Sequence, residues 1–167
     1  DSSTGRRVSQ NSYPSGIDAV LLVTGDTYPD GLAAGPIAAM LGGPVLLTGT
    51  NSLPTATKNE LLRLLPSTVI IVGGPAAVPN AIASSIGDLG LDVQRISGPD
   101  RYATAAALSD AFITHGSRPV FIATGEAFPD ALYGAAAGGH FGGPMLLSRT
   151  ISLPISTRQE LERFFPQ

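Results

Sequence analysis

Short apolar runs alternate along the chain with longer segments that carry small and apolar residues. Runs this short predict strands rather than helices. We expect strands over residues 19–24, 44–48, 68–72, 92–96, 119–124 and 144–148. We expect helices over residues 29–41, 55–65, 76–89, 101–113, 129–141 and 157–165. Strands that alternate with helices predict a mostly parallel sheet with helices on both faces, a doubly wound α/β fold.

The chain repeats itself at a fixed offset of 100 residues. The run TGDTYPDGL at residues 24–32 returns as TGEAFPDAL at 124–132, and 20 of the 50 positions from 17 to 66 are identical 100 residues later. We predict a first repeat over residues 1–100, with its N-terminal motif degenerate or missing, and a second, C-terminally incomplete repeat over residues 101–167. The chain would then hold about 1.7 repeats whose shared parts superpose.

Two local features predict helix ends and buried faces. Each Gly-Gly-Pro, at residues 42–44 and 142–144, should end a helix within about two residues, with positive φ at one glycine of each pair. A cluster of large apolar residues predicts the buried face of each repeat's last helix. These residues are Leu61, Leu62, Leu64 and Leu65, with Leu161, Phe164 and Phe165 as their counterparts.

Composition excludes several classes of protein. The net charge of −3 argues against a general nucleic-acid binder, and the absence of cysteine excludes thiol nucleophiles, disulfides and thiolate metal sites. The charge-free stretch at residues 31–57 is broken by Pro36 and Pro54, so we expect no membrane span. His115 and His140 are not at metal-ligand spacing, and no nucleophile–base set is visible. We therefore expect no metal, no cofactor and no catalysis.

The two Pro-Asp pairs and one glycine turn each have two explanations. Asp30 and Asp130 fall in the first turns of predicted helices, where the positive end of the helix dipole stabilises a carboxylate. Alternatively, they offer polar contacts to a ligand at the sheet edge where α/β folds bind ligands. One carboxylate per repeat gives no support to a shared acid–base pair. Gly73-Gly74-Pro75 lies where a phosphate cradle would sit, but it matches no phosphate fingerprint and also fits a tight turn.

The segment around Arg101 carries the most specific candidate chemistry. Asp100 is a plausible helix N-cap, and an arginine in the first turn of a helix opposes the dipole and so calls for a partner. That partner is either a carboxylate, Asp30 or Asp130, or an external anion, which the planar guanidinium suits better than a lysine would.

Four ordered motifs carry a family resemblance. They are VIIVGGPAAV at 69–78, RISGPDRYATA at 95–105, ATG with FPDAL at 123–132, and GPMLL at 143–147. Together they resemble the cell-wall-binding type 2 repeat of Gram-positive surface proteins and autolysins. The resemblance implies a flavodoxin-like or Rossmann-like fold and a non-catalytic, extracellular module. Such a module would hold an attached protein on the cell wall through an anionic secondary polymer, such as a teichoic-acid-like glycan.

The resemblance also implies the residues of the polymer site. The family arginine falls on Arg101, with Asp30, Asp100 and Asp130 as supporting residues. The family's Pro-Ile-Leu-Leu segment falls on Pro44, Val45, Leu46 and Leu47 and on Pro144, Met145, Leu146 and Leu147. Family repeats usually come in threes, so we expect self-association or further repeats to complete a trimeric arrangement.

Two other classes of function remain open. One is a flavodoxin-type nucleotide- or small-molecule-binding protein or enzyme that uses the Gly25-Asp26 and Gly73-Gly74 turns. The other is a purely structural oligomerisation unit. The missing phosphate fingerprint counts against the first of these.

Overall fold

The computed structural model describes residues 2–26, 29–114 and 118–166, with the side chains of residues 29 and 128–131 outside the description. Helices and strands alternate along this part of the chain. They are α1 (Ser2–Ser12), β1 (Ala19–Thr24), α2 (Pro29–Met40), β2 (Val45–Thr48), α3 (Thr55–Leu64), β3 (Thr68–Val72), α4 (Asn80–Gly87), β4 (Asp92–Ile96), α5 (Arg101–Phe112), β5 (Phe121–Thr124), α6 (Phe128–Phe141), β6 (Met145–Ser148) and α7 (Ile155–Phe164).

All strand pairs among these elements are parallel, which confirms the predicted α/β class. The strands form a four-stranded sheet in the order β2-β1-β3-β4 and a separate two-stranded sheet of β5 and β6. The sequence pattern predicted one mostly parallel sheet and did not indicate that the strands divide into two sheets. Equivalent strands pair in the same register, because Leu21 lies opposite Val45 and Phe121 lies opposite Met145.

Two apolar clusters lie on opposite faces of the four-stranded sheet. Alternation along β1 sends Leu21 and Val23 to one face and Val20 and Leu22 to the other. The first cluster continues through α2 and α5 into the two-stranded sheet, and the second is closed by α3 and α4. Helices therefore cover both faces, and the first cluster joins the two repeats into one core.

The elements that both repeats contain follow one another in the same order, with β1 matched by β5 and β2 by β6, as predicted. In both, a buried threonine of the last helix donates a hydrogen bond to a strand carbonyl. Thr57 Oγ1 lies 2.6 Å from the oxygen of Leu47, and Thr157 Oγ1 lies 2.7 Å from that of Leu147. The repeat boundaries at residues 100 and 101 stay a prediction.

Helix α1 was not predicted, although it is the counterpart of α5. The sequence did hold a signal, since Thr4 and Ser9 are repeated as Thr104 and Ser109. Ser9 and Ser109 are both buried. Val8 is the only large apolar residue of α1 and it is exposed, so no apolar stripe identifies the segment as a helix.

The predicted start of α4 was wrong by four residues. The structure forms a separate turn after β3, in which the amides of Ala77 and Val78 both donate to the carbonyl of Gly74, each at 2.9 Å. The helix begins only at Asn80, directly after Pro79, whose extended backbone excludes helix continuity on its N-terminal side.

The glycine pairs end their helices as predicted. Helix α2 ends at Met40 and Gly42 has φ of 65°, while α6 ends at Phe141 and Gly142 has φ of 68°.

The predicted buried face of α3 and α7 was partly wrong. Leu61, Leu64 and Phe164 are buried, but Leu62, Leu65 and Phe165 are exposed. Helical periodicity places Leu62 on the outer side, and Leu65 lies in the left-handed conformation just beyond α3.

Helices α2 and α6 join the repeats through small residues at equivalent positions. A Cβ at Gly35 would lie 3.7 Å from Ala135, and a Cβ at Gly139 would lie 3.3 Å from Ala39. Equivalent positions thus meet in two successive turns, so the two helices run parallel. None of the described helices is long and apolar enough to cross a membrane.

Candidate functional site

A cleft of about 300 Å³ lies where the first repeat meets the second. It is built from the turns after β3 and β4 and from the N-terminal ends of α2 and α5. In the sheet order β2-β1-β3-β4, the chain runs to one side of β1 for β2 and to the other side for β3. The cleft therefore lies at the carboxyl end of the strands, beside the topological switch point where open α/β sheets bind ligands.

The glycine turn after β3 brings backbone and carboxylate together at one wall of the cleft. Gly73 has φ of 113°, and a Cβ there would lie 2.9 Å from Asp30 Oδ2. Both the positive φ and the close carboxylate require glycine at this position. The tight-turn explanation of Gly73-Gly74-Pro75 fits this geometry, and Gly74 and Pro75 also line the cleft.

The opposite wall is a capped helix terminus. Asp100 accepts a hydrogen bond from the amide of Ala103 at 2.8 Å, which confirms it as the N-cap of α5. The Thr104 hydroxyl donates to the Asp100 carbonyl and accepts from the Gly98 amide, each at 3.0 Å. A Cβ on Gly98 would lie 2.4 Å from the Cβ of Ala103, so this wall is fixed tightly.

Arg101 lies between the two repeats. Its Nη1 donates to the carbonyl of Gly125 at 2.7 Å, just after β5, and its side chain lines the cleft. No carboxylate among the described side chains forms an ion pair with Arg101. The first alternative, an ion pair with Asp30, is therefore absent, and the Asp130 side chain lies outside the described residues.

Asp30 is half-buried on the opposite wall and is influenced by Arg101 at longer range. Burial raises the pKa of the Asp30 carboxyl, and the positive charge of Arg101 lowers it in part, so that the pKa stays above its ordinary value. The cleft is thus lined by the cation of Arg101 and by two acidic residues, Asp100 and Asp30, of which the Asp30 carboxyl gives up its proton less readily than a free one.

The second repeat carries a polar cluster beside Arg101 that sequence reasoning missed. The Arg149 guanidinium lies 5.0 Å from the centre of the Tyr102 ring, within range of a cation–π contact. Glu126 accepts a hydrogen bond from the Thr150 amide at 3.2 Å and another from the Thr150 hydroxyl. These hydrogen bonds lower the pKa of Glu126.

The first repeat has an open cavity of about 280 Å³ at the equivalent place. Ser2 stands where the second repeat has Tyr102, and Gly49 stands where it has Arg149. Residues 42–54 and 142–154 are alike at most positions, but Gly49 in the first repeat corresponds to Arg149 in the second. This difference was the feature of the sequence from which the cluster could have been predicted. The two repeats thus share a scaffold but differ in the side chains at its strand ends.

The proline-leucine segments contribute mainly to the core. Buried members are Pro44, Leu46, Pro144, Met145, Leu146 and Leu147, while Val45 and Leu47 are half-buried. The structure brings one segment to Arg101, because a Cβ on Gly125 would lie 3.3 Å from Arg101 Cδ and 3.5 Å from Leu147 Cβ. Leu47 lines the open cavity of the first repeat, away from Arg101.

Metal-ligating side chain types do not cluster in the described part of the chain. Among the side chains that the structure describes, no group of three or more histidine, aspartate or glutamate residues could hold a metal ion. His140 packs edge-on against Phe141, and His115 lies outside the described residues.

Comparisons with known proteins give the family. The family model for "Cell wall binding domain 2 (CWB2)" matches residues 3–83 and 95–163. The N-acetylmuramoyl-L-alanine amidase LytC of Bacillus subtilis is 37% identical over 108 residues, which cover 65% of this chain and 22% of the amidase. The amidase enhancer of the same organism is 29% identical over 147 residues, 88% of this chain and 20% of the enhancer.

Two solved structures share the fold. Cwp6 from Clostridium difficile has a TM-score of 0.87 at 31% identity, over 96% of this chain and 26% of Cwp6. Cwp8 from the same organism has a TM-score of 0.86 at 30% identity, over 95% of this chain and 28% of Cwp8. The chain thus spans less than a third of each of these proteins.

These matches confirm the resemblance inferred from the four motifs, and with it a cell-wall-binding role and a location in the extracellular cell wall. The chain belongs to the Cell wall binding domain 2 (CWB2) family.

Proposed function

We propose that this chain binds an anionic cell-wall glycopolymer without catalysis and so anchors an attached protein to a Gram-positive cell wall. The observation that carries the proposal is the placement of Arg101. Its guanidinium lies at a cleft between the repeats, held on one side by the Gly125 carbonyl and left without an ion pair to any described carboxylate. An exposed arginine fixed in this way is available to an external anion.

The chemistry of the cleft suits a phosphate or carboxylate group. Arginine offers a planar fork of donors that matches such groups, and the N-terminal ends of α2 and α5 add the positive ends of two helix dipoles. The chain carries a net charge of −3, so long-range attraction does not favour an anion and recognition has to be local.

The supporting residues have distinct roles in this proposal. Asp100 caps the first turn of α5 and so fixes the backbone position of Arg101, the first residue of that helix. Asp30 lines the opposite wall, and the raised pKa of its carboxyl reduces repulsion of an incoming anion as the pH falls. The segments at residues 44–47 and 144–147 lie mainly in the core and would act at the carboxyl ends of their own strands. Leu147 lies beside Gly125 and Arg101, whereas Leu47 lines the open cavity of the first repeat.

A complete anchor would combine several such clefts. We include in the proposal that self-association or further repeats build a trimeric arrangement, in which the cleft recurs at each junction between repeats. Several weak sites on one polymer raise the overall avidity without any new contact.

The test compares Arg101→Ala and Arg101→Lys with Arg158→Ala, which removes an exposed arginine of α7 that does not line the cleft. Retention on purified Gram-positive cell walls is measured before and after acid removes their anionic polymers. Loss of one charged hydrogen-bonding group costs about 1.5–3 kcal/mol, so we expect Arg101→Ala to weaken retention by roughly 10- to 150-fold. Arg101→Lys should fall between Arg101→Ala and the parent, because it keeps the charge but loses the fork.

Thermal unfolding of the same samples separates binding from scaffolding. If Arg101→Ala lowers the melting temperature while the folded protein keeps its retention, Arg101 is a structural residue and the polymer site lies elsewhere. Retention that survives acid stripping would reject the anionic polymer as ligand. Binding of a nucleotide with no retention on walls would favour the flavodoxin-type alternative.

A further inference from the structure

A polar cluster lies next to Arg101 at the strand ends of the second repeat. We call it the Arg149 cluster, and its members are Tyr102, Glu126, Arg149 and Thr150. A Cβ on Gly125 would lie 3.0 Å from Tyr102 Cε1 and 3.3 Å from Arg101 Cδ, so the cluster adjoins the arginine of the proposed polymer site. Its four members are not among the residues that line the cleft. The cluster is therefore a neighbouring surface that the proposed function leaves without a role.

Arg149 is exposed but held in place. Its guanidinium lies 5.0 Å from the centre of the Tyr102 ring, and Tyr102 is only 5% exposed, so the ring is a fixed platform beneath the charge. The Arg149 amide also donates to the Ser152 carbonyl at 3.1 Å. Within the described part of the chain, no group accepts a hydrogen bond from this guanidinium. Arg149 therefore offers positioned hydrogen-bond donors to the solvent.

Glu126 offers an acceptor beside these donors. Its carboxylate accepts hydrogen bonds from the Thr150 hydroxyl, from the Thr150 amide at 3.2 Å and from the Tyr102 hydroxyl. The bonds from Thr150, helped by the positive charge of Arg149, lower the pKa of Glu126, so the side chain stays ionised. A carboxylate has about four acceptor positions, so roughly one remains open on this exposed side chain.

The two charges decide which kind of group the cluster suits. Arg149 and Glu126 carry opposite charges, so a second anion would be repelled by the carboxylate while the guanidinium attracted it. A sugar hydroxyl both donates and accepts a hydrogen bond, and two vicinal hydroxyls match a positioned donor beside an open acceptor. The chemistry of the cluster therefore favours a neutral sugar over a phosphate.

We propose that the Arg149 cluster binds vicinal hydroxyls of a neutral sugar that adjoins the anionic group held by Arg101. Arg149 donates to a hydroxyl oxygen, and Glu126 accepts from the neighbouring hydroxyl. Tyr102 and Thr150 are positioning residues, because they hold the guanidinium and the carboxylate. This inference rests on the proposed function, since it takes the charged group of the polymer to lie at Arg101. The two sites together would select a charged group followed by a sugar.

The experiment replaces Arg149 with the residue of the first repeat. Retention of Arg149→Gly on purified Gram-positive cell walls is measured at about 0.05 and 0.5 M NaCl, with a Debye length of only about 4 Å at the higher concentration. We expect retention to fall roughly 3- to 10-fold at both concentrations, because salt barely screens hydrogen bonds to neutral hydroxyls.

A charge-matched variant separates the position of the arginine from its charge. The double variant Arg149→Gly/Gly49→Arg keeps the parent's net charge of −3, but its new arginine lies where the first repeat has Ser2 in place of the tyrosine ring. Retention of this variant should stay as low as that of Arg149→Gly. Both replaced positions lie at strand ends on the surface, and thermal melts check that every variant is folded at the assay temperature.

Glu126→Gln distinguishes a sugar from a second anion. An amide is a weaker acceptor than a carboxylate, so retention at the higher salt concentration should fall by about 2- to 5-fold if a hydroxyl is bound. A bound anion would instead gain from removal of the negative charge. Titration with inorganic phosphate, followed by NMR of the arginine Nε–H signals, should shift the signal of Arg101 and leave that of Arg149 in place.

Arg101→Ala is measured beside these variants, so that the failure of the sugar site and of the proposed function can be told apart. If Arg101→Ala loses retention while Arg149→Gly keeps it, the sugar site is rejected and the proposed function stands. If both keep it, the polymer site at Arg101 is rejected as well. Four other results would also reject the sugar site: recovery in the double variant, a loss in Arg149→Gly that vanishes at high salt, tighter binding by Glu126→Gln, or a phosphate-induced shift of the Arg149 signal.

Discussion

Leu22 and Ile122 occupy equivalent strand positions in different surroundings, so the same truncation should have very different costs at the two sites. Leu22 is 0% exposed and lies within the cluster that β3, α3 and α4 close, whereas Ile122 is 49% exposed. Leu22→Ala and Ile122→Ala each shorten an aliphatic side chain of the same size. The pair therefore isolates the effect of burial from that of residue chemistry.

The magnitudes follow from these exposures. Truncating a fully buried leucine to alanine typically costs 2–5 kcal/mol, and we expect about 3 kcal/mol at Leu22 because sheet and helices hold its cavity open. About half of the Ile122 side chain already meets water and no closed cavity forms, so the expected cost is about 1 kcal/mol. For a chain of this size, these costs lower the melting temperature by roughly 6–12 °C and 2–4 °C.

Urea unfolding and calorimetry measure both costs on the two variants and the parent. Equal losses at the two positions would refute the reasoning, because burial would then not decide the cost. A large loss at Ile122 alone would show that this side chain is covered in solution by something beyond the described residues.

Three further predictions concern a carboxyl, a hydroxyl and a glycine. Asp30→Asn should raise the melting temperature near neutral pH, because burial raises the pKa of Asp30 and makes its ionised form costly in the folded protein; the gain should vanish below its ordinary pKa of 3.8, as a pH series of melts would show. Thr157→Val leaves the Leu147 carbonyl without its 2.7 Å hydrogen bond, and should cost about 1–3 kcal/mol in urea unfolding; a neutral result would contradict that role. Gly143→Ala would place a Cβ 1.9 Å from the Pro119 carbonyl oxygen, so circular dichroism should show a severely destabilised or unfolded protein, and a native melting curve would be incompatible with this packing.

Regular patterns made most of the fold predictable. All six strands lie where they were predicted: the 100-residue repeat identified β1, β2, β5 and β6, the β-branched run identified β3, and a weaker pattern identified β4. Gly-Gly-Pro marked where α2 and α6 end. The start of α4 was missed because a glycine turn and Pro79 delay the helix, and local composition does not distinguish such a turn from a helical start. Helix α1 was missed because its one buried residue is a serine, Ser9, rather than an apolar residue.

Within the site, the sequence could predict only those contacts that join residues close together in the chain. Asp100 could be identified as a cap because its hydrogen bond is local, within three residues. The partner of Arg101 could not be identified, because Gly125 offers a backbone carbonyl and backbone groups leave no mark in the sequence. The stack of Arg149 on Tyr102 joins residues 47 positions apart, and only the fold brings them together.

The likeness of β1 and β5 has a consequence for how the chain folds as it is synthesised. Both strands offer β3 a similar parallel edge, so a fully unfolded chain could pair β3 with the wrong one. Synthesis resolves the competition in time, since β5 begins 49 residues after β3 ends. At about 5–20 residues per second that interval is roughly 2–10 s, long enough for a parallel sheet of this kind to close on β1 first. The chain should therefore refold from denaturant less faithfully than it folds on the ribosome.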